Sequence, residues 1–273
     1  LVGAAFGDNW PGNDVAKEFM PLINYAKAAN GQPAPIAALQ NRIAALASEI
    51  SGMTKAGDDG AGAYKLAKER VGGTAGGTTD PFRALATAAT RAPQPIKHVV
   101  EDVAVKAWGA VLSQAKVYVN AVWAKNVLPV CDKLIVGRYP VYHDASEETT
   151  LKDFATFFGP GGTVDKFTTD ILAPFVDMGA STWSDKSVSG YSIGIEATAL
   201  ANLQRAAAIR NAFFAVGGKQ PQVKFTLTPA YLDPKAARLT INVDGKIETY
   251  QHGPQRPKSY QWPATSGPGK VRL

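Results

Sequence analysis

Up to about residue 216, apolar side chains recur along the chain at spacings of three and four, the period of an amphipathic helix. One stripe predicts a helix over residues 35–50, with apolar positions at Ile36, Leu39, Ile43, Leu46 and Ile50. Another predicts the longest helix, from Pro95 to about Asn126. Since a helix of about thirty residues spans roughly 45 Å, we expect this element to be a strut of the helical part.

Two other helices carry recognisable start signals. Asp80 before Pro81 predicts an N-cap followed by proline at the first helical position. Thr150 predicts a second cap, with Asp153 three residues later. The helix after Thr150 has an aromatic face formed by Leu151, Phe154, Phe157 and Phe158. We expect the sequence GPGG at 159–162 to end it with a glycine in the left-handed C-cap conformation.

Beyond residue 216 the apolar period changes to two, which is typical of half-buried strands. Asp244-Gly245 predicts a two-residue hairpin turn. We therefore predict an α+β fold, with a helical domain at 1–216 that can itself divide near 72–79. An antiparallel, sandwich-like β domain follows at 217–273, because one apolar sheet face needs a covering layer. We expect this β domain to be incomplete, because the chain ends without a closing element.

The net charge of +6 is concentrated in the predicted β domain. From Gly217 onward there are nine Lys and Arg against three Asp and Glu, so the other residues balance at 20 basic and 20 acidic. Such a segment either has solvated basic strand faces or meets an acidic partner. Nucleic acid is disfavoured, because the charges are dispersed and no recognition-helix pattern accompanies them.

The sequence shows no pattern of an active site. The three histidines lack metal-ligand spacing, no HExxH or CxxC occurs, and the single Cys131 cannot form an internal disulfide. Gly72–Gly77 is not followed by the Lys-Ser/Thr of a phosphate loop. We therefore predict no catalytic residue, no metal and no cofactor, and no apolar run nears the ~20 residues of a membrane span.

Two other function classes stay open at this stage. Carboxylates within residues 144–177 could form the acid–base pair of a periplasmic hydrolase that acts on cell-wall material; the candidates are Asp153, Asp165, Asp170 and Asp177. The basic charge could also belong to a binding module for nucleic acid or anionic lipid.

A long segment carries a family resemblance. Residues 138–177 read RYPVYHDASEETTLKDFATFFGPGGTVDKFTTDILAPFVD, and this stretch resembles the hallmark of the IcmF/TssM family, the large inner-membrane component of bacterial type VI secretion systems. Similar segments follow in the same order; they are Gln204–Phe214, VKFTLTPAYLD at 223–233, VDGK at 243–246, YQHGP at 250–254 and YQWP at 260–263.

The resemblance implies a structural role rather than catalysis. From this resemblance we expect the chain to be the C-terminal periplasmic region of an inner-membrane protein of a Gram-negative bacterium. Membrane spans that precede this piece would anchor the protein. The implied partners are the outer-membrane lipoprotein TssJ, and TssL and other TssM copies in the membrane complex. Some family members carry a nucleotide-binding domain in their cytoplasmic part, but no Walker-type lysine loop occurs here.

We expect the lipoprotein-facing surface to lie in the basic β segment. Tyr, Trp and Arg are enriched at protein interfaces, and this segment combines aromatic residues with the concentrated positive charge. The predicted partner-binding residues are Tyr250, His252, Arg256, Lys258, Tyr260 and Trp262.

Overall fold

Within the described residues every helix lies before residue 214, and five of the seven strands begin at Val223 or later, so the predicted α+β class is confirmed. The computed structural model describes residues 20–22, 24–27, 34–53, 59–72, 80–214, 218–228, 230–254, 256–263 and 271–272. Of the division predicted near 72–79, residues 73–79 lie outside the described part. The domain boundary at 216/217 stays a prediction.

The helices follow one another along the chain, with longer connections at 135–150 and 173–196. Their bounds are α1 Pro35–Met53, α2 Ala61–Val71, α3 Pro81–Ala89, α4 Gln94–Val122, π1 Trp123–Val127, α5 Leu128–Leu134, α6 Leu151–Phe158, α7 Thr163–Lys166, π2 Phe167–Leu172 and α8 Ala197–Phe213.

The strands form three small sheets. Their bounds are β1 Val176–Asp177, β2 Ser184–Asp185, β3 Val223–Leu227, β4 Arg238–Val243, β5 Lys246–Gln251, β6 Lys258–Trp262 and β7 Val271–Arg272. Strands β1 and β2 make one sheet, β3 and β6 pair antiparallel in a second, and the third has the order β5-β4-β7, also antiparallel. The short strand β7 was not predicted from the sequence.

The chain divides into two units that are not contiguous in sequence. The first comprises residues 1–121, 174–176 and 185–195, and the second comprises 122–173, 177–184 and 196–273. The first unit is built on α4, whose Trp108 is 1% exposed and donates from its indole Nε1 to the carbonyl of Val188 at 3.1 Å. This bond ties the irregular segment at 185–195 to the long helix.

The predicted N-cap residue of α3, Asp80, is confirmed, and in the first unit it also forms an ion pair. The Asp80 carboxylate accepts hydrogen bonds from the backbone N–H of Phe82 at 3.0 Å and of Arg83 at 3.3 Å. It also pairs with the Arg70 guanidinium at 2.6 Å. The same guanidinium lies over the rings of Phe82 and Trp108, at 4.7 and 4.9 Å from their centroids. Arg70 and Asp80 therefore bind α2 to α3.

Gly60 is required by both its conformation and its surroundings. Its φ of +80° is in the left-handed region, and a Cβ placed there would lie 2.2 Å from the backbone oxygen of Gln114. Any side chain would thus drive the start of α2 away from the long helix α4.

The long helix continues further than the sequence predicts. Instead of ending near Asn126, the chain passes from α4 through π1 into α5 and ends at Leu134. Pro129 lies in the first turn of α5, where a missing backbone N–H costs little. A π turn has i→i+5 hydrogen bonds and so contains one more residue than an α turn. After this turn the α-helical hydrogen bonds resume in α5, which has the proline in its first turn.

The helical hairpin of the hallmark stretch lies in the second unit and begins as predicted. Thr150 Oγ1 accepts from the backbone N–H of Asp153 at 3.0 Å and donates to its carboxylate at 2.8 Å. The end of α6 differs from the prediction. Gly159, the C-cap residue, is extended (φ −68°, ψ 168°), and the left-handed glycine is Gly161, with φ +70°.

The aromatic face predicted for α6 packs against α8. Phe157 and Phe158 are buried, and their rings meet edge to face at 4.8 Å. The ring of Phe154 contacts those of Phe213 and Phe214 at 5.3 and 6.1 Å. This cluster fastens the C-terminal end of α8 to the hairpin just before the chain enters the β region.

The β region has the sandwich-like arrangement predicted for it. The sheets β3-β6 and β5-β4-β7 share one core, whose buried members are Ile241, Val243, Tyr250 and Tyr260. Asp244 and Gly245, with φ values of 51° and 88°, form the hairpin turn between β4 and β5. Two positive φ values in succession are the geometry that a tight hairpin requires.

Candidate functional site

The six residues predicted to bind a partner lie close together in the β region but differ in accessibility. Tyr250 and Tyr260 are 1% and 3% exposed, and their hydroxyl groups share a 2.7 Å hydrogen bond inside the core. Burial and this hydrogen bond raise the pKa of Tyr260 well above its ordinary value of 10.0. These two tyrosines build the fold on which any partner surface rests.

Lys258 is already engaged within the chain. Its ammonium donates to the Glu248 carboxylate at 2.6 Å and lies 5.3 Å from the Tyr250 ring centroid. The hydrogen bond lowers the pKa of Glu248 and raises that of Lys258. Lys246, 3.8 Å from the same carboxylate, completes a surface network of one acid between two bases. Much of the charge of Lys258 is therefore neutralised before a partner arrives.

The other three predicted residues occupy the edge of the sandwich. His252 is exposed, and its Nε2 lies 2.9 Å from the carbonyl oxygen of Ala236. Arg256 is exposed in the loop before β6. Trp262 is half-buried at the end of β6 and packs against the sandwich core. The role of all six residues in partner binding stays a prediction.

Three of the four carboxylates named as acid–base candidates make hydrogen bonds or an ion pair that stabilise the fold. Asp153 belongs to the cap of α6, and Asp177 accepts from the Gly179 N–H at 3.1 Å. Asp165 pairs with the Arg210 guanidinium and accepts from the Gly161 N–H at 2.8 Å. These bonds account for the position of the carboxylates without invoking a substrate.

His143 and Cys131 are two other side chains whose chemistry could serve catalysis. His143 is exposed, with its Nδ1 3.2 Å from the Asp144 carboxylate. Cys131 is half-buried, and burial, followed by the charge of Asp132, raises the pKa of its thiol. A raised pKa leaves little thiolate at neutral pH. Within the described residues, no group of three or more His, Cys, Asp and Glu could hold a metal ion.

None of the helices in the described ranges is both long enough and apolar enough to span a bilayer.

A cleft of about 860 Å³ opens in the second unit, where the hallmark stretch meets the β region. One wall is formed by the start of α6 and the turn at 160–163, and the other by residues 219–221 with Trp262 and Pro263. Trp262 is the member of the predicted partner set that lines it. No sequence pattern predicts the cleft, because its walls come from segments more than fifty residues apart and only the fold joins them.

Two family models match the chain in succession. Residues 114–219 match the helical domain of the type VI secretion protein IcmF, and residues 225–273 match its C2-like domain. The chain belongs to the IcmF/TssM family. Most of the cleft lining falls within the two matches, whereas Gln220 and Pro221 lie in the connection between them, where α8 gives way to β3.

One curated relative covers nearly the whole chain. It is "Type VI secretion system component TssM1" of Pseudomonas aeruginosa, 36% identical over 256 residues. The alignment takes in 94% of this chain but 22% of the relative, so the chain spans about a fifth of that protein's length.

Solved structures share the fold of this IcmF/TssM chain. A chain of "Type VI secretion system membrane core complex" superimposes with a TM-score of 0.72 at 19% identity, over 97% of this chain and 55% of that one. A chain of "Type VI membrane complex" gives 0.60 at 18% identity, over 94% and 54%. At these identities the likeness extends to the fold alone.

Proposed function

We propose that this chain is a scaffold region of a type VI secretion membrane complex and has a structural, non-catalytic role. The observation that carries the proposal is the ordered match of the helical and C2-like domains, together with 36% identity to a TssM component along 256 residues. In this role the chain lies in the periplasm of a Gram-negative bacterium, as part of an inner-membrane protein. It connects that membrane to the outer-membrane lipoprotein TssJ.

The lipoprotein contact in this proposal belongs to the basic β region. Charge complementarity raises association rates and selects the partner, so basic groups without an internal acid are the best candidates. Arg238, at the start of β4, and Arg256 are exposed, and neither makes an ion pair within the described residues. They are better probes than Lys258, because reversing Lys258 would place two carboxylates side by side.

The remaining proposed partners are TssL and further TssM copies. The solved structures with the same fold belong to type VI membrane complexes, which supports an assembly of several components. A domain of this kind acts by positioning, so its function depends on rigid packing such as the aromatic cluster of Phe154, Phe213 and Phe214.

The test is a charge reversal with a matched control. We expect the double variant Arg238→Glu, Arg256→Glu to weaken binding of the soluble domain of the cognate TssJ-like lipoprotein and to flatten its salt dependence. The control is Lys125→Glu, Lys133→Glu, which makes the same change in charge at exposed positions of the helical part. If both variants bind like the parent at every salt concentration, the basic β region is not the lipoprotein surface.

A further inference from the structure

The cleft between the hallmark hairpin and the β region carries an excess of positive charge that the chain does not neutralise. Three lysines line it, Lys152, Lys166 and Lys219, against the single acid Glu148. All three lysines are exposed, and none makes an ion pair within the described residues. We infer that this cleft binds an extended, acidic segment of a partner protein.

The lysines come from three separate elements. Lys152 is in the first turn of α6, Lys166 ends α7, and Lys219 lies in the connection before β3. By contrast, the nearby bases Arg138 and Arg210 are paired with Glu147 and Asp165. Because clefts lined by one sign of charge concentrate counter-ions of the other sign, the unpaired lysines favour a ligand that carries carboxylates.

The remaining lining indicates a peptide rather than a small anion. The exposed Pro160 and the half-buried Trp262 supply apolar surface beside the lysines, and the buried Pro221 and Pro263 support the wall of the cleft from beneath. Grooves lined by aromatic side chains bind extended, proline-containing chains, and clusters of basic side chains select acidic motifs. A volume of about 860 Å³ is also far larger than an inorganic ion needs, and it falls within the usual range of ligand clefts, about 300–1,000 Å³.

A second observation favours a ligand that brings a hydrogen-bond acceptor into the cleft. The indole Nε1 of Trp262 is buried and has no hydrogen-bond partner in the described part of the chain. An unsatisfied buried donor costs about 1–3 kcal/mol. Trp262 also lines the cleft, and a peptide bound there would bring backbone carbonyl oxygens, the kind of acceptor that this N–H lacks among the described residues.

The placement of the cleft gives binding a mechanical consequence. One wall belongs to the part that matches the IcmF helical domain, and Trp262 and Pro263 belong to the C2-like domain. A segment held by both walls would fasten these two parts together. The cleft is thus distinct from the exposed arginines Arg238 and Arg256 of the proposed lipoprotein surface, and the inference does not depend on that proposal.

The experiment uses a fluorescein-labelled peptide of ten glutamates with two central prolines as probe, and measures anisotropy against the full chain at low salt. We expect saturable binding that the triple variant Lys152→Glu, Lys166→Glu, Lys219→Glu weakens by about tenfold or more, from the sum of three exposed charge contacts. Trp262→Phe, which keeps a ring but removes the N–H, should weaken binding by a smaller factor.

The matched control is Lys125→Glu, Lys133→Glu, Lys224→Glu, which changes three other exposed lysines. Equal weakening by both triple variants means that only net charge matters and overturns the inference, as does the absence of saturable binding. Lysine-dependent binding of phosphatidylglycerol vesicles with no binding of the peptide would identify a membrane site instead and would also overturn it. No lipoprotein is present in the assay, so failure here leaves the proposed function untouched.

Discussion

Trp123 and Phe167 are the first residues of the two π-helical segments, π1 and π2, and their rings meet edge to face at 5.0 Å with an interplanar angle of 64°. The wide turns are visible in the hydrogen bonds from Leu128 N–H to the Trp123 carbonyl and from Ala173 N–H to the Thr168 carbonyl. Each π turn interrupts a helix at the point where it meets the other. The ring contact therefore joins the starts of the two π segments.

The first prediction concerns the energy of this ring pair. We expect a double-mutant cycle of Trp123→Leu and Phe167→Leu to give a coupling energy of about 0.5–1.5 kcal/mol, the usual range for aromatic pairs. Urea unfolding of the four proteins measures it. A cycle of Trp123→Leu with Phe225→Leu, in the β-sandwich core, should be additive. Equal coupling in both cycles would show that the contact is not specific.

The second prediction concerns the start of the hallmark hairpin. Thr150→Ala removes the oxygen that accepts from Asp153 N–H, and we expect the free energy of unfolding to fall by about 1 kcal/mol. Thr150→Ser keeps that oxygen and should lie within about 0.5 kcal/mol of the parent. Chemical denaturation compares the three proteins, and an unstable serine variant would mean that the methyl group, rather than the cap, matters.

The third prediction separates the two interactions of Asp80, the N-cap of α3 and the ion pair with Arg70. Asp80→Asn keeps a side-chain oxygen for the cap but leaves the Arg70 guanidinium without its carboxylate, and only 17% of the Arg70 side chain is exposed. We expect a loss of about 3 kcal/mol. Asp80→Ala also loses the cap and should cost about 1 kcal/mol more. Thermal unfolding followed by circular dichroism measures both; identical losses would assign the whole effect to the ion pair.

The fourth prediction is a pH dependence. Burial and the hydrogen bond with Tyr250 raise the pKa of Tyr260 in the folded state, so the unfolded chain releases this proton first. The stabilisation is complete below the ordinary value of 10.0 and is lost as the pH rises above it. We expect stability to fall between about pH 10 and 12, as measured by unfolding at each pH. In Tyr260→Phe the fall should be shallower, although that variant is weaker at neutral pH because Tyr250 loses its buried partner.

The local signals in the sequence were sufficient for much of the fold. Asp80, Thr150 and the Asp244-Gly245 turn act through hydrogen bonds and φ values within a few residues, so each could be predicted from its neighbours. The end of the long helix could not, because the apolar period gives no sign of a π turn, and Trp123 at its start packs on Phe167, more than forty residues away. Strand β7 was missed because two residues are too few for a period.

In the candidate site, too, some features could be predicted from the sequence and others depend on the fold. The concentration of basic charge in the β segment is a property of the sequence alone, whereas the neutralisation of Lys258 by Glu248 and the burial of Tyr250 and Tyr260 follow from strand register. In the same way, Lys152, Lys166 and Lys219 are unremarkable as separate surface lysines. They line one cleft only because the fold brings the hairpin and the β region together.

The most direct test of the central claim is a calorimetric titration of this chain with the soluble domain of the cognate TssJ-like lipoprotein. A scaffold that links the inner membrane to that lipoprotein should give a saturable heat with a micromolar or tighter Kd, which weakens as salt is raised. The chain's folded state is checked beforehand by circular dichroism. A folded chain that gives no saturable heat at low salt would contradict the account.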